Sequence, residues 1–91
     1  MPALFPLGRI VATPGCLAAF EATGQAPAWF LERHNAGDWG ELDEHDRLVN
    51  EEALAHGGRL LSSYYIVGER RIWIITEWDR SASTILLPSE Y

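Results

Sequence analysis

The sequence has 91 residues, of which 47% are hydrophobic, and its formal net charge is −6. This composition is typical of one small globular domain with a modest core, and it excludes a disordered chain. The acidic balance argues against binding nucleic-acid phosphates or an anionic membrane surface. No stretch approaches the roughly 20 apolar residues of a membrane-spanning helix. Because Cys16 is the only cysteine, no disulfide can form within the chain, and we predict a cytoplasmic location.

The first part of the chain predicts a short strand, residues 8–12, followed by two helices. Thr13 before a proline is typical of a helix N-cap, and Gly24 is a natural end for that helix. A second helix is expected from Pro27 to Gly37. The predicted buried residues of the two helices are Leu17, Phe20 and Ala18 or Ala19 in the first, and Trp29, Phe30 and Leu31 in the second. Arg33 and His34 would be cations in the last turn.

A third helix is predicted to begin at Leu42 and Asp43 and to end at the glycine pair 57–58. Asp43 is the predicted N-cap, with Asp46 three residues later as in a capping box. On a helical wheel, the predicted buried stripe holds Leu42, Val49 and Ala53. His45 and His56 flank this stripe and are predicted to lie at the edge of the core.

The C-terminal part predicts a three-stranded antiparallel meander over residues 60–67, 70–78 and 83–87. Gly68 at the first central position of the first turn suits a two-residue type II′ hairpin. Asp79 suits the start of the second turn, where its carboxylate can accept backbone N–H groups. The predicted order is β-α-α-α-β-β-β. We therefore expect a single α+β domain over residues 1–91, with helices packed on an antiparallel sheet.

The predicted strands do not alternate cleanly between apolar and polar residues, as a half-solvated sheet should. One strand places Ile72, Ile74 and Thr76 on one face and Trp73 and Ile75 on the other. Helices would cover one face of the sheet, so a second copy of the chain is the simplest cover for the other. We predict a homodimer, and burial of both faces within one chain is the alternative.

Residues 38–52, which we call the acidic segment, contain seven acidic residues and one arginine, a net charge of −6 that equals that of the whole chain. A solvated helix face is the simplest interpretation. A docking surface for a basic protein, in one form imitating the charge of DNA, is the alternative that implies a function. The predicted partner-binding residues are Asp38, Trp39, Glu41, Asp43, Glu44 and Glu51. Trp39 is either an exposed anchor for a partner or a core residue that closes the base of the helices.

Metal binding is a further interpretation of the acidic segment. Asp43, Asp46 and Asn50 lie close to one helix face, with His45 adjacent, and their oxygen atoms would suit magnesium or manganese. The sequence lacks the usual metal-binding motifs, so no metal ligand is assigned. Cys16, near a helix N-terminus, is interpreted as a buried structural residue rather than a nucleophile. We predict no catalytic residue and no cofactor.

Several segments resemble one known group of proteins. They are residues 8–15 (GRIVATPG), Arg33 and His34 with residues 37–40 (GDWG), residues 71–77 (RIWIITE), 79–81 (DRS) and 85–88 (ILLP). With these segments the chain resembles short bacterial proteins encoded on plasmids and integrated mobile elements, known as plasmid-related proteins. The resemblance implies a bacterial accessory gene, and it identifies no catalytic residue in this chain.

These patterns together predict a non-enzymatic accessory factor that binds another protein through its acidic helix surface. One alternative is an acidic anti-defence protein that blocks a restriction enzyme or nuclease. The other alternative is a small metal-assisted hydrolase that uses Asp43, Asp46 and His45. Neither nucleic acid nor a membrane is predicted as a partner.

Overall fold

The structure, a computed structural model, describes residues 2–91. The elements in chain order are β1 (Arg9–Ala12), α1 (Pro14–Thr23), α2 (Pro27–Asn35), α3 (Glu44–His56), β2 (Leu60–Ile66), β3 (Arg70–Thr76) and β4 (Ala82–Leu86), followed by a 3₁₀ turn (Pro88–Glu90). The predicted α+β class and the predicted order of elements are confirmed. Across the described residues, no helix has the length and apolar character needed to cross a membrane.

The strands form one sheet in the order β1-β4-β3-β2. Strands β2, β3 and β4 pair antiparallel, which confirms the C-terminal meander. Strand β1 pairs with β4 in parallel, with Ile10 opposite Ser83, and so lies at the edge of the sheet. A parallel pair needs a long connection between its strands, and here the helices and two strands of the meander provide it.

Helices α1 and α3 begin at their predicted caps. The Thr13 hydroxyl accepts a hydrogen bond from the Cys16 N–H at 3.3 Å, and Asp43 Oδ1 accepts one from the Asp46 N–H at 2.8 Å. Each bond satisfies an N–H group that the first helical turn leaves without a partner. Helix α1 ends at Gly24, whose φ of 72° is left-handed, as predicted for a glycine at this position.

Helices α1 and α2 bury stripes that differ from the predicted ones. Leu17 and Trp29, both predicted to be buried, are exposed. The side chains that reach the core are Cys16, Ala19 and Phe20 in α1 and Phe30 and His34 in α2. Residues four apart return to the same helix face, whereas an adjacent residue is turned away by about 100°. The buried stripe of α2 includes a histidine. Because this residue is polar, the spacing of the apolar residues alone does not identify the buried face of the helix.

Helix α3 also departs from its predicted stripe. Val49 is exposed, whereas Asn50 and Ala53 are buried. The Asn50 Nδ2 donates to the Leu61 carbonyl at 2.7 Å, and its Oδ1 accepts from the Leu61 N–H at 3.0 Å. The amide thus satisfies both backbone groups of a residue in β2 and turns this face of α3 toward the sheet.

The connection between β2 and β3 is a three-residue loop, residues 67–69, rather than the predicted two-residue type II′ turn. Gly68 and Glu69 both have positive φ, 90° and 59°, whereas a type II′ turn needs positive φ only at its first central position. The reason lies outside the hairpin. The Val67 N–H donates to Gln25 Oε1 at 2.8 Å, so the strand pairing ends one residue earlier and the loop gains a residue.

The second turn of the meander holds the sheet to α3. Asp79 Oδ1 accepts a hydrogen bond from the Ser81 N–H at 3.0 Å, as its turn position predicts. Arg80 has a positive φ of 63°, and its guanidinium donates to the carbonyls of Ala53, at 3.0 Å, and Gly58. These carbonyls lie near the end of α3, where a positive charge also suits the helix dipole.

The two faces of the sheet have different surroundings. One face, the covered face, packs against the helices and carries Leu60, Ser62, Tyr64, Ile66, Ile72, Ile74, Thr76, Ser83 and Ile85, all buried. The opposite face, the open face, carries Arg9, Val11, Leu61, Ser63, Tyr65, Arg71, Trp73, Ile75, Thr84 and Leu86. The C-terminal Tyr91 lies against Trp73 on the open face, with ring centroids 5.7 Å apart. Ile75 and Leu86 are buried there, so this face is shielded in part by the chain itself.

Candidate functional site

The acidic segment runs along the outer edge of β2 before it forms most of α3. Gly40 makes an isolated parallel bridge with Ser63. The Glu41 N–H donates to the Ser63 carbonyl at 2.6 Å, and the Ser63 N–H donates to the Trp39 carbonyl at 3.0 Å. The connector before α3 is therefore held to the sheet by backbone hydrogen bonds, and its side chains have a defined position.

The charge of the acidic segment lies at the surface. Of its seven acidic side chains, all except the half-buried Asp46 are exposed. Its one basic residue, Arg47, donates from Nη2 to the Gly40 carbonyl at 2.9 Å and from Nε to the Leu42 carbonyl at 3.1 Å. Because this guanidinium is bonded to backbone oxygens, it is not paired with the acidic side chains around it.

Three of the predicted partner-binding residues also stabilise the fold. Asp38 Oδ2 accepts a hydrogen bond from Arg33 Nε at 2.7 Å, and this bond holds the pKa of Asp38 below its ordinary value. Asp43 caps α3. Glu51 Oε2 accepts a hydrogen bond from Trp39 Nε1 at 3.1 Å. Substitution of these three residues would therefore change the stability of the fold together with the charge of the surface.

Trp39 is a core residue, and the prediction of an exposed anchor is wrong. Its side chain is 3% exposed and stacks on Phe5, with ring centroids 6.2 Å apart. Its ring also lies 5.7 Å from that of His34. The alternative interpretation of Trp39 as a core residue is confirmed. Trp29, by contrast, is exposed, and the i, i+4 spacing of Phe30 and His34 is the signal that would have placed it outside the core.

Two of the remaining acidic residues of the surface flank an exposed leucine. Among residues 2–91, Glu41, Glu44 and Glu52 form no ion pair. Leu48 is 58% exposed, and it lies four residues after Glu44 and four before Glu52, in one row on the solvent face of α3. The sequence pattern does not predict this row, because Leu48 is next in sequence to a residue that was assigned to the buried stripe of α3. The surface therefore offers unpaired carboxylates with an apolar group between them.

The residues weighed as a possible metal site come together only in part. Asp43, His45 and Asp46 each offer one ligand atom, and these atoms lie within 4.8 Å of one another. The Asn50 side chain points elsewhere, since both of its polar atoms bond to Leu61. Asp43 Oδ1 also accepts the Asp46 N–H. The cluster is a largely exposed group of side chains at a helix N-terminus, a common arrangement at a capped helix.

A chain of buried hydrogen bonds links α2 to the sheet. The Ser83 hydroxyl donates to the Leu7 carbonyl at 2.7 Å, so the Thr76 hydroxyl, 2.7 Å away, donates to Ser83. Thr76 Oγ1 then accepts from His34 Nε2 at 2.9 Å. His34 Nδ1, which carries no proton, accepts from the Ser62 hydroxyl at 2.5 Å. The network defines a single neutral tautomer of His34, protonated on Nε2.

The histidines lie in positions opposite to the predicted ones. His34, predicted as a helix-end cation, is fully buried, and burial together with the charge of Arg80 lowers its pKa to about 3. His45 and His56, predicted at the edge of the core, are exposed. Cys16 is buried as predicted, and burial raises the pKa of its thiol to about 11. A thiol with this pKa is a poor nucleophile.

Comparisons of this chain with models of known protein families, with curated proteins and with solved structures gave no match.

Proposed function

We propose that the chain is a non-enzymatic accessory factor that binds a basic protein through the acidic segment. The observation that supports this proposal is the concentration of a net charge of −6 on the exposed side of one helix and its connector. Glu41, Glu44 and Glu52 are the acidic residues that are free to bind a partner. The residues differ from the predicted set because Trp39 lies in the core, and because Asp38, Asp43 and Glu51 are bonded within the fold.

The physical role of this surface would be to speed and orient association. A surface of one sign raises the rate at which an oppositely charged partner arrives, and this effect weakens as salt screens the charges. Leu48 would add an apolar contact at the centre of the charged row, where water is most easily excluded. A partner of matching chemistry presents lysine or arginine side chains around a small apolar depression.

The setting of this function follows from the resemblance to plasmid-related proteins. A bacterial mobile element would supply the gene, and the lone cysteine suits the reducing cytoplasm. A nuclease or restriction enzyme of the host has a basic surface where it binds DNA. Such an enzyme is one partner that matches the acidic segment, and blocking it would be an anti-defence activity.

A capture experiment with matched charge variants tests the proposal. The first variant carries Glu41→Gln, Glu44→Gln and Glu52→Gln, and the second carries Leu48→Gln. The control carries Glu21→Gln, Glu32→Gln and Glu69→Gln, which removes the same charge from exposed positions outside the acidic segment. Each tagged protein is mixed with bacterial lysate, and retained proteins are quantified by mass spectrometry.

We expect one basic protein to be retained by the wild type and by the control. Retention should fall by about tenfold or more in the first variant, because three attractive contacts are lost. It should fall in the Leu48 variant as well, and it should decrease as salt is raised. Equal retention by the first variant and the control would contradict the proposal, because only the total charge would then matter.

A further inference from the structure

The open face of the sheet carries a row of aromatic and arginine side chains along β2 and β3. Tyr65 lies opposite Arg71, and Ser63 lies opposite Trp73. The Arg71 guanidinium is 4.6 Å from the centroid of the Tyr65 ring, and it donates to the Ser63 hydroxyl at 3.1 Å. These contacts hold the guanidinium over one face of the Tyr65 ring at the surface.

The same arrangement recurs at the other end of the row. Arg59 Nη2 donates to the Tyr91 hydroxyl at 2.6 Å, and its guanidinium lies 5.4 Å from the centroid of that ring. The rings of Tyr91 and Trp73 meet at an interplanar angle of 70°. Tyr65 and Tyr91 are 50% and 70% exposed. Residues 59–65 of an extended strand span about 20 Å, so the row is longer than one nucleotide.

The charge of the open face is opposite to that of the whole chain. Among the described residues on or beside this face, Arg9, Arg59 and Arg71 are basic, and Glu77 and Glu90, the residue before Tyr91, are acidic, a net charge of +1. The acidic segment alone accounts for the net charge of −6; its helix packs on the covered side of the sheet, near Leu60, and its connector borders the edge of β2 at Ser63. A partner attracted to the open face is therefore anionic, although the total charge of the protein argues for the reverse.

A cleft of about 250 Å³ lies beside Tyr91 on this face. Ile75 and Leu86 line it with apolar side chains, and Glu77, Thr84 and Arg59 line it with polar ones. The cleft is smaller than a typical site for a drug-sized ligand. Its size and its lining suit one flat ring, with an apolar surface beneath it and hydrogen-bonding groups at its rim.

From these observations we infer that the open face binds single-stranded nucleic acid. Bases stack on the exposed rings of Tyr65 and Tyr91 and enter the cleft between Tyr91 and the strands, while Arg59 and Arg71 contact phosphates. Stacking on aromatic rings requires unpaired bases, so a single strand fits this face and a duplex does not. A second copy of the chain fits less well. A two-fold contact through this face would place the arginines of the two copies opposite one another, where their like charges repel.

Fluorescence anisotropy with a labelled oligonucleotide of about twelve thymidines tests the inference. We expect saturable binding at about 50 mM salt that weakens by about 10- to 40-fold at 300 mM, the range for two or three phosphate contacts. A duplex of the same length should bind at least tenfold more weakly. Binding that is equally tight to the duplex, or to thymidine monophosphate, would overturn the inference.

Matched variants locate the contact. Arg59→Gln and Tyr91→Ala should each weaken binding at least fivefold, and Arg59→Gln should also reduce the slope of log affinity against log salt by about 0.7. The controls are Arg70→Gln and Trp29→Ala, which change exposed residues outside the open face. All four positions are exposed, and a melting temperature for each variant establishes that it is folded.

Three results of these experiments would overturn the inference. The first is the absence of saturable binding to the oligonucleotide at protein concentrations up to about 100 µM, which is the weak end of non-specific binding. The second is an equal loss of affinity in the controls. The third is a dimer, detected by sedimentation, that Tyr91→Ala dissociates, because a second copy would then occupy the open face. The acidic segment takes no part in these contacts, so the inference is independent of the proposed function.

Discussion

Replacing Gly40 with alanine should destabilise the fold by at least about 3 kcal/mol, an effect we attribute to a single added methyl group. A Cβ atom at this position would lie 2.1 Å from the carbonyl oxygen of Ser63 and 2.6 Å from Cδ1 of Tyr64. The first of these atoms belongs to the backbone of β2 and cannot rotate away. The connector would have to leave the sheet edge, and the hydrogen bonds that Ser63 makes there would be lost.

Gly24 provides the matched control. Its φ of 72° is nearly the same as the 73° of Gly40, but no other heavy atom of residues 2–91, its two chain neighbours aside, comes within 4 Å of a Cβ built on it. Gly24→Ala should therefore lose only the left-handed preference of glycine, about 1–2 kcal/mol. Urea unfolding followed by tryptophan fluorescence measures both variants. Equal losses of stability would show that backbone conformation alone, rather than the close approach to β2, makes glycine necessary at position 40.

Acid should destabilise the protein through His34 well above the pH range in which carboxylates titrate. The ordinary pKa of histidine is 6.5, and burial lowers the pKa of His34 to about 3 in the folded state. Between these values the unfolded chain binds a proton that the folded chain does not, so stability is complete above pH 6.5 and decreases as pH falls. At about 1.4 kcal/mol per pH unit, the loss from pH 7.5 to 4.5 should be about 2.7 kcal/mol.

Two histidine variants isolate this effect from that of the carboxylates. His34→Gln removes the titrating group, and between pH 4.5 and 6.5 its free energy of unfolding should change much less steeply with pH than that of the wild type. His45→Gln removes an exposed histidine and should leave the slope of the wild type unchanged. Urea unfolding at several pH values gives these slopes. If the wild type and His34→Gln have the same slope, His34 is not buried in its neutral form.

Much of the fold could be predicted from residues that are close together in the sequence. The caps at Thr13 and Asp43, the end of α1 at Gly24 and the three strands of the meander were predicted, and the structure has them. Each depends on the conformation of a few neighbouring residues, which the types of those residues largely decide. The hairpin loop was predicted wrongly because Gln25, a residue of a distant segment, binds the Val67 N–H.

The candidate site could be predicted only in part for the same reason. The concentration of charge in residues 38–52 can be read from the sequence. In the structure this charge is exposed, as expected for a charged surface. The position of Trp39 depended on Phe5 and His34, which come from other segments. A tryptophan between two glycines is compatible with either an exposed or a buried side chain, so no local signal distinguished them.

The sequence by itself determined the order of the elements, the helix ends and the place of the negative charge, because these depend on local preference and on composition. Only the tertiary structure decided which side of each helix is buried, since His34 enters the core by bonding to Thr76, 42 residues away. It also decided that arginine and aromatic residues from β2, β3 and the C-terminus share the open face. The net charge of −6 gives no indication of that surface. Electrostatic interactions depend on the distances between charges, and a sum of charges over the chain contains no information on their positions.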